Sequence, residues 1–140
     1  MDNKPATECF KLATQFGESL DKDDFQQTIR LLSEDCVYRI GQESFVGPQA
    51  IVGSYEKNMI DGRAKLDKLV WGQSQIEPIN ESEYLVHFTD YLTHAGENFT
   101  HRCKQKLTFN HGKIVQIQHI DDPEEATKLA AFYSRVGIHQ

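Results

Sequence analysis

The chain has 140 residues and a formal net charge of −6, enough for one domain with a real core but too acidic for a general nucleic-acid binder, which carries a basic patch. A hydrophobic fraction of 39% with 10% aromatic residues excludes a disordered chain. Cys9, Cys36 and Cys103 are odd in number and show no CxxC spacing, which argues against a disulfide framework or a structural zinc site and fits a reducing cytosol.

The opening MDNKPATECF lacks the apolar run of a signal peptide. No stretch approaches the ~18 apolar residues of a membrane span. The expectation is a cytoplasmic protein with neither membrane nor nucleic acid as partner. No repeat, low-complexity stretch or Pro/Gly/Ser-rich linker interrupts the chain. Residues 1–140 read as a single domain, with its core over about 8–122 and a C-terminal helix and tail over 123–140.

Cys9, Phe10, Leu12, Ala13, Phe16 and Leu20 fall at helical spacing, predicting an amphipathic helix over 5–21 with Pro5 in its first turn. A second helix follows over 24–33, capped by Asp23 or Asp24 and lined inside by Phe25, Ile29, Leu31 and Leu32. The β-branched and aromatic CVYRI (36–40) predicts a strand, turned by GQES onto SFV (44–46). GPQAIVGSYEKNMIDG predicts a third helix, with Pro48 in its first turn and Gly62 near its end. Four β segments are expected over 65–76, 83–94, 99–109 and 113–121, broken at Pro78-Ile79-Asn80, Ala95-Gly96-Glu97 and Asn110-His111-Gly112. A final helix starts at Asp122-Pro123 and carries a Leu129, Phe132, Tyr133, Val136 stripe.

Helices lead and a long antiparallel meander follows, which is an α+β pattern. The expected architecture is a cone-shaped, curved, mixed or antiparallel sheet covered by the N-terminal helices, a cystatin-like α+β barrel with a C-terminal helix. The inside of such a cone is the default small-molecule site. Strand alternation sorts the walls. Phe99, His101, Cys103, Gln105, Leu107 and Phe109 point inward, because Arg102, Lys104 and Lys106 on the other face are charged. That basic strip reads as a solvated outer face. Pairing across the 95–98 turn sets Leu92 near His101, Asp90 near Cys103 and Phe88 near Gln105. In the last strand Val115, Ile117, His119 and Asp121 form the inward face, provided a bulge follows the Asn110-His111-Gly112 turn. Tyr38 joins from the first strand, and Trp71 from a strand whose facing the alternation leaves open.

Asp90 and His119 are the catalytic candidates. Asp90 lies within an apolar alternation (Val86, Phe88, Leu92), where a carboxylate is costly unless paired. Desolvated, it is a general base with a raised pKa; wet at a strand end, it is only a bonded neighbour. His119 titrates near neutrality, and contact with Asp90 would fix its tautomer; the alternative is a satisfied core histidine. Asp121 either faces the pocket or caps the last helix with Asp122. Cys103 reads as a small core residue beside the pocket. No histidine spacing supports a metal.

The chain resembles the nuclear transport factor 2-like superfamily and, within it, the SnoaL-like (polyketide cyclase) branch. The likeness covers about residues 8–122. It rests on DDFQQTIRLLSEDCVYRI, on FVGPQAIVGSY and on YLVHFTDYLTHAGENFTHRCKQKLTFNHGKIVQIQHIDD. It implies a fold rather than a chemistry, since that superfamily includes isomerases, dehydratases, epoxide hydrolases, cyclases and plain binding or assembly domains. It also implies a homodimer through the outer sheet face. Ile40, Phe16 and Gln105 stand where ketosteroid isomerase relatives carry a base aspartate, a tyrosine and an acid, so that chemistry is not expected. His101, His119, Asp90 and Tyr38 supply the residue types of a scytalone dehydratase-like site without its spacing. An Asp-Arg-Asp epoxide hydrolase site needs an inward arginine, and Arg39 and Arg102 alternate outward. The expectation is a pocket lined by Phe16, Tyr38, Trp71, Phe88, His101, Cys103, Gln105, Leu107, Ile117 and Asp121. It takes a small apolar molecule, uses no cofactor and either performs proton-transfer chemistry (isomerisation, dehydration or cyclisation) or only binds.

Overall fold

The computed structural model describes residues 4–139, with side chains from Glu8 onward. Its elements run α1 (Lys4–Asp21), α2 (Phe25–Leu31), β1 (Leu32–Ile40), β2 (Glu43–Val46), α3 (Pro48–Lys65), β3 (Lys68–Trp71), β4 (Gln75–Pro78), β5 (Glu83–His94), β6 (Glu97–Asn110), β7 (Lys113–His119) and α4 (Pro123–Arg135). The strands form one sheet in the order β2-β1-β7-β6-β5-β3, with β4 also pairing β5. Only β1 and β7 are parallel, so the sheet is mixed. It is an open, curved α+β sheet rather than a closed barrel, since β2 and β3 end it on either side.

The helices are fixed by the residues that face the sheet. Ala13 and Phe16 of α1 and Ile51 and Val52 of α3 are buried against Tyr38, Val86, Leu107, Ile114 and Ile117 from the strands. Full burial of a large apolar side chain is worth about 1.5–3 kcal/mol. The corner between α1 and α2 needs Asp23 in the left-handed region (φ 56°), a conformation that aspartate tolerates better than most residues. Asp24 then caps α2 by accepting from the Gln27 N–H. Buried Ser19 and Thr28 tie the two helices through a 2.7 Å hydroxyl contact.

Several expected boundaries moved. The segment 65–76 is two strands, because the chain breaks after Trp71. There Gly72 donates its N–H to Thr89 O at 2.7 Å, so close to β5 that a Cβ would press on Tyr91 and Thr89. β1 begins at Leu32 rather than residue 36, with a register shift against β7 between Leu32 and Val37. α3 runs past Gly62 to Lys65. Gly62 is a close-approach glycine against Leu69 rather than a helix stop.

The two main hairpins have two-residue turns, Ala95-Gly96 (φ 52° and 79°) and His111-Gly112 (φ 51° and 75°). Positive φ at both central residues is the turn that matches strand twist. The first is tighter than expected. It keeps the same side chains inward but slides the register by two residues, placing Asp90 opposite His101, Phe88 opposite Cys103 and Val86 opposite Gln105. After the second, the ladder shifts between Thr108 and Phe109, so that Phe109 pairs Ile114 while Thr108 pairs Gln116. Val115 is the extra residue, and Ile114 turns inward in its place, fully buried.

Leu66, Leu92 and Phe132 make a second core at the far end of the sheet. Phe132 of α4 stacks on Phe99 at 5.3 Å, laying α4 over that end. Asp122 caps α4 by accepting from the Glu125 N–H at 3.2 Å. Among the described residues, no helix is long and apolar enough to cross a membrane.

Candidate functional site

Between the sheet's concave face, the α1–α2 corner and α3 lies a cavity of about 170 Å³, measured as the space open to the centre of a water molecule. For scale, an engineered apolar cavity of about 150 Å³ admits benzene. Its walls are mainly apolar and aromatic, from Phe25, Tyr38, Tyr55, Trp71 and Phe88, with Leu20, Ile40 and Met59.

Gln105 sits at the centre of its polar wall. Four per cent exposed, it accepts from the Tyr55 hydroxyl at 2.6 Å and donates through Nε2 to the Tyr38 hydroxyl at 3.0 Å. The same Nε2 lies 3.4 Å from His119 Nδ1. With the amide as donor, Nδ1 accepts and the ring proton sits on Nε2. Burial lowers the His119 pKa, opposed by Asp121, which keeps the ring neutral near pH 7. Burial likewise pushes Tyr38 up to about 12 and raises Tyr55 well above the usual tyrosine value, so both stay protonated.

Asp90 stands apart from this cluster. Its neighbour across β3 is Trp71 and across β6 His101. Burial first, and the Asp21 carboxylate second, raise its pKa from 3.8 to about 7. Among the described residues no protein group donates a hydrogen bond to it. At neutral pH it therefore exists in both protonation states, the condition in which a carboxyl both accepts and returns a proton. Cys103 pairs with Phe88; burial, then the Asp90 charge, push its thiol up to about 12, so it is not a nucleophile.

At the mouth, Asp23 accepts from Trp71 Nε1 at 2.8 Å and from Arg63 Nη1 at 2.9 Å, and the Arg63 guanidinium lies over the indole at 5.5 Å. Asp21 accepts from Ser74 N–H at 2.8 Å and Ser74 Oγ at 2.9 Å.

Asp90, His119, Tyr38, Trp71, Phe88, Cys103 and Gln105 thus line one cavity. The expected Asp90–His119 contact does not form. His119 pairs with Gln105, and Asp90 with His101, four residues away along β6 or roughly 13 Å. The two-residue register slide is the cause.

Five expected lining residues lie elsewhere. Leu107 and Ile117 are fully buried, because they continue past Gln105 and His119 into the core. Phe16 is buried behind the wall, edge-on to Tyr55 and Phe88. His101 is turned to α4, its Nδ1 3.5 Å from Glu125 Oε1 and unbonded, while burial lowers its pKa. Asp121 is exposed, since β7 ends at His119.

Sequence reasoning missed Tyr55, Asn58 and Met59 from α3, Leu20, Asp21, Asp23 and Phe25 from the α1–α2 corner, and Ile40 and Thr89 from strands. Ile51, Tyr55 and Met59 recur every four residues, the one signal that marks the inner stripe of α3. Among the described residues no group of three or more His, Cys, Asp or Glu side chains is placed to hold a metal ion.

Helices on the concave face of an open, curved sheet, with a cavity between them, define the nuclear transport factor 2-like fold, as the sequence resemblance implied. Solved structures of this kind superpose on nearly the whole chain. A candidate polyketide cyclase from Xanthomonas campestris pv. campestris matches with TM-score 0.69 at 12% identity, over 87% of this chain and 96% of its own. An LEH-like epoxide hydrolase of M. tuberculosis matches with TM-score 0.63 at 18% identity, over 92% and 97%. An NTF2-like protein of unknown function from Burkholderia pseudomallei matches with TM-score 0.66 at 13% identity, over 92% and 98%. At these identities the likeness is one of fold. No family model matches the chain, and no curated protein matches it by sequence.

Proposed function

We propose that the cavity binds a small, largely apolar molecule and that Asp90 exchanges a proton with it, in a cofactor-free isomerisation, dehydration or cyclisation. The observation that carries this reading is Asp90 itself, a carboxyl raised to about 7 by burial, without a hydrogen-bond donor among the described residues, in a cavity with aromatic walls. A carboxyl of that kind takes a proton from carbon or oxygen and returns it elsewhere on the substrate. The Tyr38–Gln105–Tyr55–His119 cluster supplies neutral donors for an oxygen that gains negative charge as the proton leaves. The candidate cyclase and the LEH-like epoxide hydrolase among the similar structures agree with small-molecule chemistry in this fold. An epoxide hydrolase site with an inward arginine is disfavoured, because Arg39 and Arg102 are exposed.

The test is proton exchange. One- and two-ring ketones incubated with the protein in D2O are followed by mass spectrometry for deuterium uptake next to the carbonyl. Catalysed uptake that falls on the order of 100-fold or more in Asp90→Asn supports the role. Uptake equal in wild type and variant removes Asp90 from the chemistry.

We further propose that the outer sheet face pairs two copies of the chain. Val70 and Tyr91 are register partners there, and both are exposed, at 41% and 49%. An apolar centre with tyrosine among polar neighbours suits an interface. Light scattering at tens of micromolar should give twice the chain mass, reduced to a monomer by Tyr91→Glu; a wild-type monomer ends this reading.

A further inference from the structure

The cavity is unbalanced in charge. Asp21, Asp23 and Asp90 all line it, and among the described residues no lysine or arginine does. Asp23 is compensated by Arg63. Among the described residues the hydrogen bonds to Asp21 come from Ser74, a neutral donor, and burial, opposed by those bonds, raises its pKa above the usual carboxylate value. Asp90 is opposed by Asp21 and, among the described residues, has no hydrogen-bond donor. His119, the remaining basic group there, is held neutral by burial.

The walls around these two carboxylates are independent of them and favour the same kind of ligand. Trp71 neighbours Asp90 across the β3–β5 ladder, and Phe25, Phe88, Tyr38 and Tyr55 complete the aromatic lining. Aromatic faces attract cations, and the Trp71 indole already carries one, the Arg63 guanidinium at 5.5 Å. An ammonium on a carboxylate makes a charge-assisted hydrogen bond, about twice as strong as a neutral one. An anion in the same place meets like charge and no donor cation.

We infer that the site takes a small apolar amine in its protonated form, its ammonium between Asp90 and Asp21 and its hydrocarbon body against the aromatic walls. This rests on the reading of the cavity as the ligand site and narrows its substrate class: the missing countercharge is the substrate's own. Binding of the ammonium requires ionised Asp90, so it displaces a proton and strengthens as pH rises through neutrality.

Trp71 is the only tryptophan in the chain and reports occupancy directly. Three isosteric probes, 2-phenylethylamine, 2-phenylethanol and phenylacetate, are titrated against the full chain at pH 8 and followed by tryptophan fluorescence and amide NMR shifts. The amine should bind at least tenfold tighter than the alcohol, with phenylacetate the weakest. The amine's affinity should rise roughly tenfold from pH 6 to pH 8, the change in ionised fraction for a group with pKa about 7, while the alcohol's stays level. Asp90→Asn should abolish the preference for the amine without weakening the alcohol, and Asp21→Asn should reduce it. An alcohol that binds as tightly as the amine, a preference for phenylacetate, or an amine preference that survives both substitutions overturns the inference and leaves the cavity as a ligand site. If none of the three perturbs Trp71 or the cavity amides up to roughly 10 mM, weaker than about −3 kcal/mol, the inference and the ligand-site reading fall together.

Discussion

Replacing Asp90 by asparagine keeps the side chain's size and removes its charge, and should make the protein more stable. Holding a carboxyl at about 7 instead of 3.8 costs the ionised folded state roughly 4 kcal/mol at full strength. Asp90 is only partly shielded from solvent, so about half of that, roughly 2 kcal/mol, is the expected penalty. The sign follows from proton linkage. Below the unfolded value of 3.8 the group is protonated in both states and makes no difference. Between 3.8 and about 7 the unfolded chain has ionised and the folded one has not, so stability falls as pH rises. Above about 7 the full penalty stands. Asp90→Asn should therefore match wild type at pH 4 and exceed it at pH 8 by about 2 kcal/mol, or roughly 6–8 °C in Tm for a chain of this size. Paired thermal melts at the two pH values read the difference. A variant that gains nothing between pH 4 and pH 8, or is the less stable at pH 8, would refute the claim that Asp90 is a strained, desolvated carboxyl.

Three further outcomes follow from the same geometry. Gln105→Leu strips partners from Tyr38, Tyr55 and His119 at once; urea denaturation should show a loss of about 3 kcal/mol, against about 1 kcal/mol for Tyr55→Phe. Gly17→Ala, at a helix interior position where alanine ordinarily adds up to about 1 kcal/mol, should instead destabilise. A Cβ there overlaps Ser74 Oγ, which anchors Asp21, and a higher melting temperature in this variant would contradict the packing. The His119 imidazole should titrate below 6.5 by NMR because it is buried. Its midpoint should be unmoved in Asp90→Asn, since the two side chains do not meet; a shift there would restore the contact that the register removes.

The inward faces of β5 and β6 were readable because their charges leave no choice: Arg102, Lys104 and Lys106 on one side force Cys103, Gln105 and Leu107 to the other. Register was not, because Ala95-Gly96 admits both a two-residue turn and a longer one with the same alternation. A slide by two preserves parity and still changes every neighbour, which is why Asp90 and His119 were each placed inward and wrongly placed together. The β7 bulge was anticipated from the turn, but not that Ile114 would turn inward beside Ile117. The α1–α2 corner was invisible for a different reason. Asp21 and Asp23 look like ordinary helix-end polar residues, and only the tertiary approach of Ser74, Arg63 and Trp71 makes them part of a cavity. Tyr55 carried a legible four-residue spacing, yet nothing in the sequence marks its hydroxyl as reaching a glutamine 50 residues away.

The proposed chemistry requires that Asp90 change protonation state near neutrality. A 13C-detected NMR titration of the aspartate carboxyls, with Asp90 assigned by its disappearance in Asp90→Asn, measures this in the folded protein. The expected midpoint is about 7. A midpoint at the ordinary 3.8 would mean a solvated, permanently ionised carboxylate, and proton transfer by Asp90 would no longer stand.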